Sequence, residues 1–279
     1  MYKIEYYKPS VYLIKDNGIS QSEIAARTCY DSFEDSDFEL IRDFKTNKNV
    51  INKLKNEDIS SSELLSKLSW TYFHHSILEH SVLTYYIKDM SRGVLQELAR
   101  HRIASISVKS SRYTLSNILY AFALLSKQNN REYILEEFNR YLLDFETLNI
   151  ADSNLHRIET SSIYHKLEYH MKQSNEEAFF STFLAKDNLK YWKETSRKNL
   201  DINVFISNKA KRNAGDKFKY IVTDNFRTEV MWTINLRSLK NFIELRDSNS
   251  AWFQIRWLAK GIIEATPTKY LNLIMKEYK

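Results

Sequence analysis

The stretch from Glu97 to Tyr113 reads ELARHRIASISVKSSRY, and it joins a helical pattern to a run of hydroxyl side chains. The helical pattern begins near Ser91, and its apolar face consists of Val94, Leu95, Leu98 and Ala99. The pattern stops where Arg100, His101 and Arg102 stand together. Consecutive helical side chains point about 100° apart, so these three cannot all face one partner. They would contact different parts of a large anion, or different anions.

The residue types after the helix suit an anion site. Arginine makes bidentate contacts with phosphate, and serine hydroxyls with backbone amides can complete the cradle. The alternative is a solvated helix end, because the helix dipole favours basic residues near a C-terminus. Charge alone favours that alternative. The spacing of the serines after Arg102 is the feature that points to a binding site.

Composition indicates a globular protein with a substantial core. The chain has 279 residues, of which 43% are hydrophobic and 27% charged. Only four glycines and two prolines occur, which favours a helix-rich fold and leaves no glycine-rich phosphate loop. A nucleotide would therefore be held by side chains and ordinary backbone amides.

The net charge of +6 and the isoelectric point of about 9.1 fit either a lysine-rich solvated surface or attraction of anionic ligands. The single cysteine, Cys29, excludes an internal disulfide and is interpreted as a small buried side chain. No apolar run approaches 18 residues, and the first eight residues lack a signal-peptide core. We expect a cytoplasmic protein without a membrane segment.

Periodicity predicts an α+β fold with a largely antiparallel central sheet packed by helices and a helix-rich middle segment. Strands are predicted within residues 1–15 and over Ser81–Met90. A capping box of Ser20 and Glu23 predicts the start of the first helix. The predicted helices are Ser20–Tyr30, Phe38–Phe44, Ser60–Ser69, Ser91–Arg100, most of Leu115–Glu194, and Ala251–Glu264.

A second informative stretch runs from Trp232 to Arg246. Helical spacing gives it a core face of Leu239, Phe242 and Ile243. Arg237 and Asn241 lie four residues apart and so share another face. Such residues are usually solvated, but an amide and a cation can also bind a ring edge or phosphates. His74, His75 and His80 do not have the spacing of a known zinc motif, so no metal site is predicted.

Three separated motifs, in order, resemble those of the flavin-dependent thymidylate synthases. The first is Arg-His-Arg, seven residues, then Ser110, with Ser105, Arg112 and Tyr113. The second is Glu79-His80 ahead of a strand, which resembles the family's histidine segment. The third is Asn235-x-Arg237-Ser238-Leu239-x-Asn241-Phe242, followed by Arg246 and Ala251.

The resemblance implies a function. The family methylates dUMP reductively to dTMP, using methylenetetrahydrofolate as one-carbon donor and FAD as a hydride carrier reduced by NADPH. It uses no covalent enzyme nucleophile. The resemblance also implies a homotetramer whose active sites are shared between subunits. The whole chain, 1–279, would form one catalytic domain with a helical insertion within about 115–216.

The resemblance also implies roles for particular residues. Arg246 would polarise the uracil ring and His80 would lie near the flavin ring, so these two are the catalytic candidates. The dUMP-binding candidates are Glu97, Leu98, Ala99, Arg100, Lys109, Ser110, Ser111, Arg112, Lys219 and Arg246. The FAD-binding candidates are His80, Arg100, His101, Arg102, Asn235, Leu236, Arg237 and Asn241.

The chain departs from the family pattern at four positions. Ser107 and Val108 stand where Asn and Glu are frequent, Glu97 where Gln is frequent, and Ser250 where a histidine is expected.

Two other classes of function remain open on the residues alone. One is a basic helical nucleic-acid-binding protein, which the scattering of the 18 tyrosines disfavours. The other is a different flavin-containing oxidoreductase. The family assignment requires the clusters at 100–112 and 235–246 to converge.

Overall fold

The computed structural model describes residues 8–54, 57–111, 224 and 227–278. Within them, four strands form one sheet in the order β1-β2-β4-β3. The strands are β1 (Ser10–Asp16), β2 (Val82–Ser91), β3 (Ala104–Val108) and β4 (Arg227–Asn235). The pairs β1–β2 and β3–β4 are antiparallel, so the predicted antiparallel sheet and the α+β fold class are confirmed.

Eight α-helices accompany the sheet in the described residues. They are α1 (Ser20–Tyr30), α2 (Glu39–Arg42), α3 (Lys48–Leu54), α4 (Glu63–Trp70), α5 (Arg92–Leu98), α6 (Leu236–Arg246), α7 (Phe253–Ala265) and α8 (Thr268–Ile274). Short 3₁₀ helices cover Phe33–Asp35, Asp43–Lys45, His75–His80 and Lys276–Tyr278.

The core lies between one face of the sheet and the C-terminal helices. Leu83, Tyr85 and Ile87 alternate along β2 and are fully buried, as the period of two requires. Trp232 of β4 lies 5.0 Å from the ring of Phe242 on α6. This packing fixes α6 against the sheet, and α6 carries half of the site described below.

The junction between β4 and α6 is held by two hydrogen bonds. The Asn235 side chain accepts from the Ser238 amide at 2.8 Å and so caps α6. The Leu236 amide donates to the Ser81 carbonyl at 2.8 Å, tying the same junction to the residue before β2. The first turn of α6 therefore has a fixed position beside the 3₁₀ helix that ends at His80.

The register of β3 on β4 explains how distant segments meet. Ala104, the first residue of β3, pairs with Ile234 near the end of β4. In an antiparallel pair, the residues before one strand lie beside those after the other. Residues 100–103 are therefore brought next to the start of α6.

The bounds of α1 are as predicted, but its capping box is wrong. Ser20 does not cap the helix; the Asp58 carboxylate instead accepts from the amides of Ile19 and Ser20 at 3.1 and 3.0 Å. Glu23 is buried and accepts from Arg27 at 3.1 Å, and also from the Ser36 and Ser62 hydroxyls. The capping box does not form because the Glu23 carboxylate is hydrogen-bonded in the interior. The carboxylate of Asp58, a residue distant in sequence, accepts from the first amides of α1 instead.

Other elements differ from the predictions. Strands β3 and β4 and helices α3 and α8 were not predicted, and residues 232–235 belong to β4 rather than to the helix that follows. Predicted helix 38–44 is a short α-helix followed by a 3₁₀ turn. Cys29 is exposed, so its interpretation as a buried side chain is wrong. Among the described residues, no helix has the length and apolar content needed to cross a bilayer.

The chain divides into two units. One comprises Lys8–Met90, Val94–Val108 and Glu229–Lys279, and it contains the core and cavities described here. The other comprises Met1–Tyr7, Ser91–Gly93 and Lys109–Thr228 and lies mostly outside the described residues. The insertion predicted within 115–216 lies outside them too, so the single catalytic domain stays a prediction.

Candidate functional site

The two polar clusters meet at a cavity of about 560 Å³. One side is formed by the segment after α5 and another by α6, where residues three or four apart share a face. Its lining residues are Glu79, Arg100, His101, Arg102, Ile103, Arg237, Ser238, Asn241, Leu245 and Arg246. The predicted convergence is therefore observed for residues 100–103 and 237–246.

Arg246 links the two sides of the cavity. Its Nε donates to His101 Nε2 at 3.0 Å, and its Nη1 lies 2.9 Å from Glu97 Oε2. The other carboxylate oxygen of Glu97 lies 3.5 Å from Arg100 Nη1. The side chains of Arg246 and Glu97 are only 19% and 26% exposed, whereas that of Arg100 is 73% exposed. The stronger ion pair is therefore Glu97–Arg246, because water screens it less.

His101 is held as a neutral ring. Burial lowers the pKa of its imidazole, the Arg246 cation lowers it further, and the Glu97 carboxylate opposes both. Because Nε2 accepts the Arg246 hydrogen bond, the ring proton must be on Nδ1. The ring edge packs against Phe242 with centroids 4.9 Å apart. His101 thus offers a defined donor instead of a positive charge.

The lowered pKa has a consequence for pH dependence. An unfolded histidine titrates near 6.5, and folded His101 titrates below that value. Between the two values the unfolded chain binds more protons. We therefore expect the contribution of His101 to the free energy of unfolding to be complete above pH 6.5 and to fall as the pH drops towards its folded pKa. An NMR titration of the His101 ring should have its midpoint below 6.5; a midpoint at or above that value would contradict the described environment.

The cavity is cationic overall. Among the described residues, the cavity is lined by Arg100, Arg102, Arg237 and Arg246 and by one carboxylate, that of Glu79, while the Glu97 carboxylate pairs with Arg246. Arg237 Nη1 pairs with Glu79 Oε1 at 2.5 Å, with both side chains about half exposed. A concave site with excess positive charge concentrates anionic ligands. The arrangement therefore favours a phosphate-bearing ligand.

A second cavity of about 430 Å³ shares Arg237 with the first. It was not found from the sequence, although it contains His74 and His75, which no motif had connected with a site. Phe73 in its wall has a left-handed backbone, φ +56°, which a bulky residue rarely adopts. The remaining lining residues are Ala26, Cys29, Tyr30, Leu68, Ser76 and Ile77. In the described part of the chain, no three His, Cys, Asp or Glu side chains are grouped as a metal ion would require.

Several predicted site residues do not line the first cavity. Asn235 caps α6, and the side chains of Leu236 and Leu98 are fully buried. His80 and Ala99 are exposed, and His80 directly follows the cavity residue Glu79. Lys109, Ser110 and Ser111 follow β3 and belong to the other unit. Arg112 and Lys219 lie outside the described residues.

Four cavity residues were not predicted as site residues: Glu79, Ile103, Ser238 and Leu245. Two of them had a signal in the sequence. Glu79 belongs to the Glu79-His80 pair, and Ser238 follows Arg237 within the third motif. Ile103 and Leu245 had none, because an apolar residue beside a charged one is normally assigned to the core. Here Ile103 is 71% exposed.

Comparisons with known proteins agree on one family. The family model described as thymidylate synthase complementing protein matches residues 13–269. The flavin-dependent thymidylate synthase of Wolinella succinogenes is 33% identical over 264 residues, which cover 95% of this chain and 96% of that protein. The Helicobacter pylori enzyme of the same name is 33% identical over 249 residues, 89% of each chain.

A solved structure gives the same result. A crystal structure of the Helicobacter pylori flavin-dependent thymidylate synthase, complexed with FAD and dUMP, aligns with a TM-score of 0.60 and 27% sequence identity. The alignment covers 95% of this chain and 98% of that one. The match of family model, sequence and fold over nearly the whole chain, with a cationic cavity built from the signature residues, leads to one conclusion: this chain belongs to the flavin-dependent thymidylate synthase family.

Proposed function

We propose that this protein methylates dUMP reductively to dTMP, with methylenetetrahydrofolate as one-carbon donor and FAD reduced by NADPH. The observation that carries the proposal is the cavity in which Arg100, His101 and Arg102 meet Arg237, Asn241 and Arg246. Relatives that are a third identical carry this enzyme's name, and the Helicobacter pylori relative holds FAD and dUMP.

The cavity residues fit a flavin nucleotide. The guanidinium groups of Arg100, Arg102 and Arg237 suit a diphosphate, to which arginine binds through two parallel hydrogen bonds. Asn241 offers both a donor and an acceptor to a heterocyclic edge. The exposed side chains of Ile103 and Leu245 provide apolar surface for a planar ring. His80, His101, Asn235 and Leu236 complete the proposed FAD set, although the side chain of Leu236 is buried.

The residues proposed to bind dUMP are Arg246 and Arg100 with residues 97–99 and, on the family resemblance alone, residues 109–112 and Lys219. When bound, FAD would supply the hydride that reduces the transferred carbon to a methyl group. The chain's own contribution is charge and orientation. Arg246 would face the negative charge that develops on the uracil ring, and its partial burial makes that interaction stronger than in water.

Two features of the assembled enzyme belong to the same proposal. We propose a homotetramer with active sites shared between subunits, for which the high exposure of Arg100 and Ile103 at the cavity is supporting evidence. Light scattering at the elution peak of the purified protein would measure the assembly. We also propose that the enzyme works in the cytoplasm, where its nucleotide and folate substrates occur.

Purified protein tests the function directly. We expect flavin absorbance and dTMP formation that depends on dUMP, methylenetetrahydrofolate and NADPH together. Flavin reoxidation that is indifferent to dUMP would instead indicate another oxidoreductase. A colourless protein that retains polyanions with a steep salt dependence would indicate a nucleic-acid-binding protein.

A further inference from the structure

A row of aromatic rings leads from the first cavity into the core. The ring of His101 lies 4.9 Å from that of Phe242 on α6, and Phe242 lies 5.0 Å from Trp232 on β4. Both contacts are edge-on, with ring planes 73° and 62° apart. Phe242 and Trp232 are fully buried, whereas His101 lines the cavity. The apolar wall against His101 is therefore continuous with the core of the sheet.

We propose that Phe242, backed by Trp232, is a positioning residue that keeps water from one side of the His101 ring and thereby preserves the hydrogen bond between His101 and Arg246. The part of the proposal that concerns turnover rests on the proposed function. The part that concerns the hydrogen bond does not.

The hydrogen bond requires a neutral imidazole. Arg246 Nε donates to His101 Nε2 at 3.0 Å, so Nε2 must carry a lone pair. In the protonated ring both nitrogens are donors and neither can accept. Protonation would also place a second cation beside the Arg246 guanidinium. A single proton at Nε2 therefore breaks the contact and frees Arg246 from its position in the cavity.

The charges around His101 oppose one another. Arg246 on α6 disfavours the protonated ring, and Glu97 on α5 favours it. Arg100 and Arg102, its neighbours in the chain, are exposed, so water screens their charges. Burial is the largest cause of the lowered His101 pKa. The apolar contact, more than any single charge, keeps the ring neutral.

Phe242 supplies that contact from the core side. Its edge-on packing also fixes the plane of the His101 ring, which the single bond from Arg246 does not do by itself. A leucine at position 242 lacks the volume of a phenyl ring and would leave space beside the imidazole. This space adjoins a polar group at an open cavity, so water would occupy it. Hydration would then favour the protonated ring.

An NMR titration tests the proposal without measuring activity. In ¹⁵N-histidine-labelled protein, the His101 signals are assigned by their loss in His101→Gln. The wild-type ring should titrate below 6.5 and have an unprotonated Nε2 at neutral pH. In Phe242→Leu the midpoint should rise towards 6.5, and both tautomers should appear. An unchanged midpoint with a single unchanged tautomer would overturn the proposal.

Phe33→Leu is the matched control for loss of a buried phenyl ring. Phe33 is also buried, its ring lies 5.5 Å from that of Phe44, and it is absent from the cavity wall. The control should lower the thermal midpoint of unfolding, as Phe242→Leu does, but leave the His101 titration unchanged. An equal shift of the titration in both variants would show that general loosening of the core is the cause, and would overturn the proposal.

A pH profile of turnover tests the consequence for the reaction. The acid limb of kcat should move to higher pH in Phe242→Leu and stay in place in Phe33→Leu. With a midpoint near 6.5, about three-quarters of the His101 rings are protonated at about pH 6, so kcat should fall roughly fourfold from its value at about pH 8. A raised KM for dUMP with an unmoved acid limb would mean that Phe242 contacts the substrate, and would overturn the proposal.

Two further variants keep the test decisive. Phe242→Met, whose unbranched side chain fills more of the space, serves if the leucine variant does not fold, and it should shift the His101 titration by less in the same direction. Trp232→Phe should also raise the midpoint, because it removes volume behind Phe242. If the wild-type protein makes no dTMP, the proposed function fails, while the NMR titration still decides the role of Phe242.

Discussion

Replacing Arg246 by alanine is expected to lower kcat for dTMP formation by about 10²–10³-fold, because one preorganised donor to the developing uracil charge is lost. The fold and the bound flavin should remain, since Arg100, Arg102 and Arg237 still line the cavity. Turnover, flavin absorbance and the circular dichroism spectrum measure the three properties separately.

The control for this substitution is Arg256→Ala. Arg256 lies on α7, contacts Asn249 at 3.2 Å and is absent from the cavity wall, so its loss should leave kcat unchanged. Normal turnover by Arg246→Ala would remove Arg246 from the mechanism. Loss of flavin along with activity would instead give Arg246 a role in cofactor binding.

Replacing Glu23 by alanine is expected to have the largest effect on stability. Glu23 and Arg27 form an ion pair whose side chains are 2% and 9% exposed, and Ser36 and Ser62 also donate to the carboxylate. Removing one partner leaves a buried charge unpaired, which costs about 3–5 kcal/mol. For a chain of this size we expect the thermal midpoint to fall by about 10 °C, measured by calorimetry.

Glu63→Ala supplies a matched control within the same protein. Glu63 and Lys67 are also an ion pair four residues apart on a helix, but their side chains are 72% and 58% exposed. Water screens such a pair, so the substitution should leave the midpoint almost unchanged. Equal shifts for the two substitutions would show that burial is not what makes the Glu23 pair important.

Elements with a clear period were predicted well. Strand β2 alternates from Val82 to Ile87, and α7 has apolar residues at helical spacing, so each was predicted within about two residues of its observed bounds. The motif residues also gave the family, which the comparisons confirm.

Elements whose conformation depends on distant partners were missed. Strand β3 contains two serines and only five residues, and its pairing with β4 across more than a hundred residues has no local signal. The predicted Ser20–Glu23 capping box does not form, because the Asp58 carboxylate accepts the hydrogen bond at the start of α1 and the Glu23 carboxylate accepts from the buried Ser62 hydroxyl. In each case, a tertiary contact replaced the local interaction from which the prediction was made.

By itself, the sequence determined which chemical groups this protein uses: arginines, an asparagine and hydroxyls in motifs that suit a nucleotide. It also determined the helices and the strand whose hydrophobic residues recur with a clear period. Only the tertiary structure decided that His101 accepts a hydrogen bond from Arg246, 145 residues away, and that Glu97 forms an ion pair with the same arginine. The physical reason is that side-chain type is a local property. Proximity depends on the register of β3 against β4 and on the packing of α6 against the sheet.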